Sequence, residues 1–155
     1  MTAQQLIDEY LTGPAQLRRA VAGMTPEQWK AKPIAGAWST LQLVCHIADF
    51  EPVYADRMKR ILAEHIPVVF GGNPDQFAAR LAYEQRDPEE ELQLIDVVRQ
   101  QMARILRTLG PDDFNRVAIH SADGPVSLLT LLQRITGHIP HHLKFIEEKR
   151  KAMTL

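Results

Sequence analysis

The stretch from Ser127 to Arg150 constrains the fold of this chain more than any other. Its apolar residues recur at steps of three and four, which predicts a long helix with one buried face. These apolar residues are Leu128, Leu131, Leu132, Ile135, Ile139, Phe145 and Ile146. His138 and His142 lie within the same stripe, four residues apart and therefore on one face of the helix. The sequence thus predicts that two imidazoles are buried together.

Two stacked imidazoles are costly in an apolar interior. Each buried nitrogen without a partner costs about 1–3 kcal/mol. A metal ion shared by His138 and His142 would satisfy both rings, and histidines at this spacing are a common way to build a metal site. Two hydrogen-bonded core histidines are the alternative, and the spacing alone leaves both interpretations open.

Composition limits the class of protein. A chain of 155 residues with 45% hydrophobic residues is expected to form one domain over residues 1–155. The net charge of −1 argues against a nucleic-acid partner, which would normally require a basic excess. Cys45 is the only cysteine, which excludes an intrachain disulfide and fits a reducing compartment. No apolar run predicts a signal peptide or a membrane span, so we expect a cytoplasmic protein without a membrane partner.

Three further long amphipathic helices are predicted, over residues 2–22, 40–64 and 88–109. Each begins at a capping residue, and glycine or proline follows the first and the third. Prolines inside these helices and inside the last one are expected to bend them without ending them. They are Pro14, Pro52 and Pro140.

Only short elements are predicted between the long helices. A turn of helix follows Thr25-Pro26, another short helix starts at Asn73-Pro74, and residues 67–75 are the longest loop. Residues 114–126 are expected to form a small β-hairpin or an irregular loop, with a tight turn at Asp123-Gly124. We therefore predict an all-α, antiparallel four-helix bundle with a short connecting helix and a possible β-hairpin before the last helix.

A third metal ligand is expected from a facing helix. His46 shares a face of the second long helix with Leu43, Phe50 and Val53, so its imidazole also lies among apolar neighbours. Bundle interiors build metal sites from facing helices in this manner. Three histidines without a carboxylate leave positions free for water or substrate, as in a catalytic site. A hydrogen-bonded core histidine is the alternative for His46 taken by itself.

The order of these features resembles the DinB/YfiT-like superfamily along almost the whole chain. The motifs are Trp38-Ser39, His46 with Asp49 and Glu51 after it, Arg116, His120 and Gly124, and Ser127-Leu128-Leu129-Thr130-Leu131-Leu132 followed by His138-Ile139-Pro140-His141-His142. The resemblance implies a left-handed four-helix bundle with unusual connections that is often dimeric. Pro140 inside the histidine motif is a departure from the family pattern.

The resemblance also implies a metal and an activity. Carried over by position, a divalent ion such as Zn, Ni or Fe would be held by His46, His138 and His142. Relatives resemble transferases that attach a low-molecular-weight thiol, such as bacillithiol or mycothiol, to an electrophile, or isomerases and hydrolases with a similar metal. We therefore expect a metal-dependent enzyme that acts on a small-molecule substrate, with a thiol as a possible co-substrate, and a homodimer.

Three polar residues near the histidines are candidates for catalysis. Asp49, Glu51 and His141 could transfer protons or orient a ligand imidazole. A solvated or structural role is the alternative for each of them. For Cys45, which lies about 100° around the helix from His46, we expect a packing role. At the level of the whole protein, the alternative to an enzyme is a non-catalytic small-ligand-binding or dimeric stress-response protein with a vestigial metal site.

Overall fold

Four long helices form a bundle in the computed structural model, which describes residues 1–155. In chain order the helices are α1 (Ala3–Val21), α2 (Pro26–Lys30), α3 (Thr40–Ala63), α4 (Pro74–Arg80), α5 (Pro88–Leu106) and α6 (Leu128–Ala152), with 3-10 turns at Tyr83–Gln85 and Pro111–Asn115. None of the helices combines the length and the apolar composition that crossing a lipid bilayer requires.

The helices begin where the capping residues predict. In each α-helix the residue before the first turn accepts a hydrogen bond from a backbone N–H that has no partner inside the helix. These residues are Thr2, Thr25, Ser39, Asn73, Asp87 and Ser127. The three internal prolines lie inside continuous helices, so the prediction that they do not end them is confirmed.

Two apolar clusters define the directions of the four long helices. The cluster at one end of the bundle includes Leu17, Val21, Leu43, Leu92 and Ile146. The cluster at the other end includes Leu6, Ile61, Leu106 and Leu128. Thus α1 and α6 run in one direction and pack side by side, while α3 and α5 run in the other. The predicted antiparallel four-helix bundle is confirmed. The two helices of each pair are parallel to each other, and the two pairs are antiparallel.

A small sheet covers one end of the bundle. The strands are β1 (Val68–Val69), β2 (Val117–His120) and β3 (Gly124–Ser127), in the order β1-β2-β3. The antiparallel pair of β2 and β3 confirms the predicted hairpin. The prediction that residues 67–75 form only a loop was wrong, because Val68 and Val69 pair in parallel with Ile119 and His120. Two residues are too few to show a strand period in the sequence.

One buried arginine contacts all four long helices. Arg99 on α5 has no exposed surface, and its Nε and Nη2 donate to Oε1 of Glu51 on α3 at 2.9 and 2.6 Å. Nη2 also donates to the carbonyl oxygen of Ile135 on α6 at 2.8 Å, and Nη1 donates to that of Tyr10 on α1 at 2.6 Å. Because these acceptors lie on three different helices, Arg99 fixes their relative positions.

The contact with α1 depends on two unusual helix residues. Pro14 has no N–H, so the carbonyl of Tyr10 loses its partner within the helix and accepts from Arg99 instead. Gly13 provides the necessary space, since a Cβ atom there would lie 2.5 Å from Nη1 of Arg99. The guanidinium also lies over the ring of Tyr10, 4.5 Å from its centroid.

We predict that Arg99→Met lowers the free energy of unfolding by about 3–5 kcal/mol, because it leaves the carboxylate of Glu51 buried without its partner. Urea denaturation followed by circular dichroism measures the change. Arg107→Met, which breaks the exposed ion pair with Asp8, is the matched control and should cost less than about 1 kcal/mol. Similar losses in the two variants would contradict the role of Arg99.

Candidate metal centre

Three histidine rings from two helices converge inside the bundle. Nε2 of His138 lies 3.0 Å from Nε2 of His46 and 3.1 Å from Nε2 of His142. Each of the three residues offers a ring nitrogen within 4.8 Å of those of the other two. The ring centroids are 4.7–4.9 Å apart. The structure therefore brings together the three histidines that the sequence predicts as ligands.

The convergence follows from the continuity of α6 and the antiparallel packing of α3 against it. His138 and His142 remain one turn apart because the helix runs unbroken through Pro140. The proline is exposed, whereas Ile139 beside it is fully buried. The departure from the family motif at Pro140 thus leaves the two imidazoles on one face.

Burial keeps all three imidazoles neutral. Desolvation lowers the pKa of His46 to about 4 and that of His142 to about 4. The pKa of His138 falls to about 3, first because of its burial and then because of the positive charge that nearby histidines and Arg99 would present to an imidazolium. At neutral pH each ring therefore has one nitrogen lone pair available for a metal ion.

The geometry fits a single cation. Imidazole nitrogens bound about 2.0–2.1 Å from one ion, at tetrahedral or octahedral angles, lie roughly 2.9–3.4 Å apart. The two contacts of His138 fall inside this range. Neutral nitrogens that face one another at 3.0 Å need a proton or a cation between them, and three cannot all be satisfied by shared protons. The donor set consists of imidazoles alone, which suits Zn, Ni, Fe and Cu.

Aromatic side chains surround the three rings. Trp38 and Phe50 lie against His46, with centroids 5.3 and 5.0 Å away, and Phe145 lies 6.0 Å from His142. The Nδ1 atoms of the three histidines are buried and have no hydrogen-bond partner in the chain. Packing against aromatic rings, and not a carboxylate or a carbonyl, therefore fixes the orientation of the imidazoles.

The two acidic residues predicted for catalysis are engaged elsewhere. Both carboxylate oxygens of Asp49 accept hydrogen bonds from Arg86, at 2.7 and 3.0 Å, and Arg86 also binds Glu91. Glu51 is fully buried against Arg99. Neither carboxylate belongs to the group of converging ligand atoms. The structure thus does not bring Asp49 and Glu51 together with the histidines, and their catalytic roles stay predictions.

His141 lies at the rim of the site. Its side chain is exposed, and its ring centroid is 5.0 Å from that of His142. Cys45, in contrast, is fully buried with Sγ 3.6 Å from the carbonyl oxygen of Tyr83, and burial raises the pKa of its thiol to about 12. This placement agrees with the packing role predicted for Cys45.

Sequence reasoning missed two arginines that hold the acidic residues. Arg86 lies in a short connection without a periodic signal. Arg99 occurs at a core position of α5, between Ile95 and Met102 at helical spacing, and a charge on an apolar stripe is a signal that could have identified it.

Comparisons with known proteins agree with the fold. The family model of the DinB superfamily matches residues 9–146. A Bacillus licheniformis protein is 27% identical over 97% of this chain and 86% of its own length, and YfiT of Bacillus subtilis is 28% identical over 90% of this chain and 79% of its own. Both relatives bear the name "putative metal-dependent hydrolase".

The solved structure of YfiT from Bacillus subtilis superimposes with a TM-score of 0.91 at 26% identity. The match covers 98% of this chain and 87% of that one, and YfiT is described there as a probable metal-dependent hydrolase with an unusual four-helix bundle topology. The resemblance drawn from the sequence motifs is therefore confirmed.

We predict that the wild-type protein, purified without an affinity tag, binds one divalent ion per chain. His138→Ala should weaken metal binding at least about 100-fold, because Nε2 of His138 contacts both other rings. Elemental analysis and titration of the metal-free protein with Zn²⁺ measure the effect. His65→Ala, at an exposed position outside the cluster, is the control and should bind like the wild type. Equal metal content in the two variants would contradict the assignment.

Proposed function

The chain belongs to the DinB superfamily, and we propose that it is a metal-dependent enzyme whose divalent ion is held by His46, His138 and His142. The convergence of three neutral imidazoles on one point is the observation that carries this proposal. The names of the relatives from Bacillus support the dependence on a metal. Zn, Ni and Fe are the candidates, since imidazole suits all three.

The metal, when bound, would supply Lewis-acid activation that makes water or a thiol a nucleophile at neutral pH. His46, His138 and His142 supply three donors and no carboxylate, so the protein leaves room for an exogenous ligand. The surrounding aromatic side chains exclude water from the far side of the rings and strengthen electrostatic interactions at the site.

The substrate we propose is a small electrophile. Attack by water would make the protein a hydrolase, which the names of the relatives favour. Attack by a low-molecular-weight thiol would make it a transferase, which the family resemblance favours. The two activities would need the same three histidines and would differ only in the nucleophile.

For the proton transfer that either reaction needs, we favour His141. Its exposed ring lies beside His142, so it can exchange protons with solvent and with a ligand at the rim of the site. For Asp49 and Glu51 we propose the other role considered for them, that of positioning residues. Their ion pairs with Arg86 and Arg99 hold α3, and with it His46, in place.

Two further expectations stay predictions: a homodimer, which the resemblance implies, and a cytoplasmic location, which the composition of the chain suggests. Sedimentation velocity of the full chain tests the first, since a dimer doubles the expected mass of 17.6 kDa.

We predict that protein loaded with Zn²⁺, Ni²⁺ or Fe²⁺ reacts with a model electrophile. An activated ester tests hydrolysis, and chlorodinitrobenzene with cysteine tests thiol transfer. Removal of the metal with a chelator and the His138→Ala substitution should each abolish the activity, and adding metal back should restore only the wild type. Activity that survives His138→Ala would contradict the proposal. Metal-free protein that binds small ligands without reaction would favour the non-catalytic alternative.

We also predict that His141→Gln lowers kcat about 100-fold while its metal content equals that of the wild type, because general acid–base groups contribute on this scale. The pH profile of kcat should lose one limb in the variant. His65→Gln is the control and should leave both quantities unchanged. A variant with the kcat and the pH profile of the wild type would exclude His141 from proton transfer.

A further inference from the structure

Arg57 on α3 is a buried cation whose charge is not neutralised within the chain. Only 4% of the residue is exposed, and its guanidinium lies over the ring of Tyr54, 4.8 Å from the centroid, without a carboxylate partner. Its Nε donates to the carbonyl oxygen of Phe70 at 3.0 Å, and Nη2 donates to the same oxygen. Arg99, the other buried arginine, has Glu51 as its counter-ion. A buried charge without a counter-ion is costly, which is why such charges are usually paired.

The charged residues near Arg57 do not neutralise it. Burial lowers the pKa of Arg57, and Tyr54 raises it, while the smaller effects of Arg134 and Asp123 act in opposite directions. Asp123, however, is already paired with Arg134, whose Nη1 lies 2.8 Å from its Oδ2. Arg57 and Arg134 carry two positive charges here and Asp123 one negative charge, so this group has a net positive charge.

Arg57 is one of the residues that line a cavity. The space has a volume of roughly 550 Å³ and lies between α3 and the segment from Val68 to Gly72, with Phe77 as a further wall. The bonds to Phe70 use Nε and Nη2, so Nη1 of Arg57 is not bound to a carbonyl oxygen. The backbone N–H of Gly72 is a second donor without a partner in the chain at the wall of this cavity.

The other charged residues of the cavity compensate one another. Asp56 and Arg60 pair at 2.9 Å at the wall of the cavity, and Arg60 also binds Glu64, which lies outside the cavity, at 3.0 Å. The three side chains are 44–62% exposed. Exposed pairs of this kind are already solvated and gain little from a ligand. Arg57 is therefore the residue whose environment a bound anion would change most.

We propose that this cavity is an anion-binding site in which Arg57 binds the carboxylate or phosphate group of a small molecule. The planar guanidinium offers parallel donors that suit both groups. The proposal goes beyond the proposed function and does not rest on it, because it concerns a different part of α3 and requires no metal.

The site lies on the same side of α3 as His46. Positions 46, 50, 53 and 57 follow one helix face, and Arg57 is about 16 Å along the helix axis from His46. The ring of Phe50 lies between the two, 5.0 Å from the ring of His46 and 5.1 Å from that of Phe77. Aromatic contacts thus connect the histidine cluster with a wall of the cavity.

Isothermal titration calorimetry of the metal-free protein at low salt tests the proposal. Inorganic phosphate is the ligand in one titration and succinate in the other. We expect the wild type to bind at least one of them, and Arg57→Met to weaken that binding at least about 10-fold. The titration with the tighter binding identifies the group. Arg19→Met removes the same charge at an exposed position outside the cavity and is the matched control, with a change of less than about 2-fold.

Two-dimensional ¹H–¹⁵N NMR spectra of the wild type provide a measurement that does not depend on how the variants fold. During the same titration the N–H resonance of Gly72 and the Nε resonance of Arg57 should shift with one saturation curve. The absence of binding up to about 20 mM of either anion would overturn the proposal, since a built site should be tighter. Shifts confined to other residues, or equal affinities of Arg57→Met and the wild type, would also overturn it.

Discussion

The guanidinium of Arg99 sets the geometry on which the rest of the structure depends. It binds one helix through a carboxylate and two others through carbonyl oxygens, so the four long helices meet at one side chain. Glu51 follows His46 by five residues on α3, and Ile135 precedes His138 by three on α6. The contacts of Arg99 therefore hold α3 and α6 within about one and a half turns of the place where the histidines meet. A buried ion pair adds little net stability, but it specifies how the helices align.

The histidine cluster is held differently. No hydrogen bond to Nδ1 orients any of its rings, and the neighbours of the rings are aromatic. The precision of the site therefore depends on the packing of Trp38 and Phe50, and ultimately on the alignment of the helices that Arg99 maintains. Neutral imidazoles tolerate this apolar shell because burial favours their uncharged form. A carboxylate at the same place would need a counter-ion.

The parts that could be predicted from the sequence are those that a local pattern determines. Helix ends follow from capping residues such as Ser39 and Ser127, and the meeting of the histidines follows from helical spacing on two apolar faces. The surroundings of Asp49 and Glu51 could not be predicted, because their partners Arg86 and Arg99 lie 37 and 48 residues away.

The buried face of α5 was only partly predicted for the same reason. Helical spacing in the sequence predicts a buried stripe of Ile95, Val98, Met102, Ile105 and Leu109. The structure buries Arg99, Ala103 and Leu106 with Ile95 and Met102, and leaves Val98, Ile105 and Leu109 partly exposed. Because charged residues are normally assigned to the surface of a helix, the buried Arg99 leads to a predicted apolar face that is rotated away from the true one. The burial of Arg99 is explained by a contact with another helix. Pro14 leaves the carbonyl of Tyr10 without a partner in α1, and Arg99 donates to it.

Compensation of buried polar groups distinguishes the structural sites of this bundle from the candidate binding sites. Glu51 and Arg99 neutralise each other inside the chain, and Asp49 is neutralised by Arg86. Three imidazole nitrogens face one another, and a cation is the partner that would satisfy all of them. Arg57 has the opposite need, since its surplus charge is positive. Because an uncompensated buried group costs free energy of folding, a ligand that supplies the missing partner explains both arrangements better than stability alone.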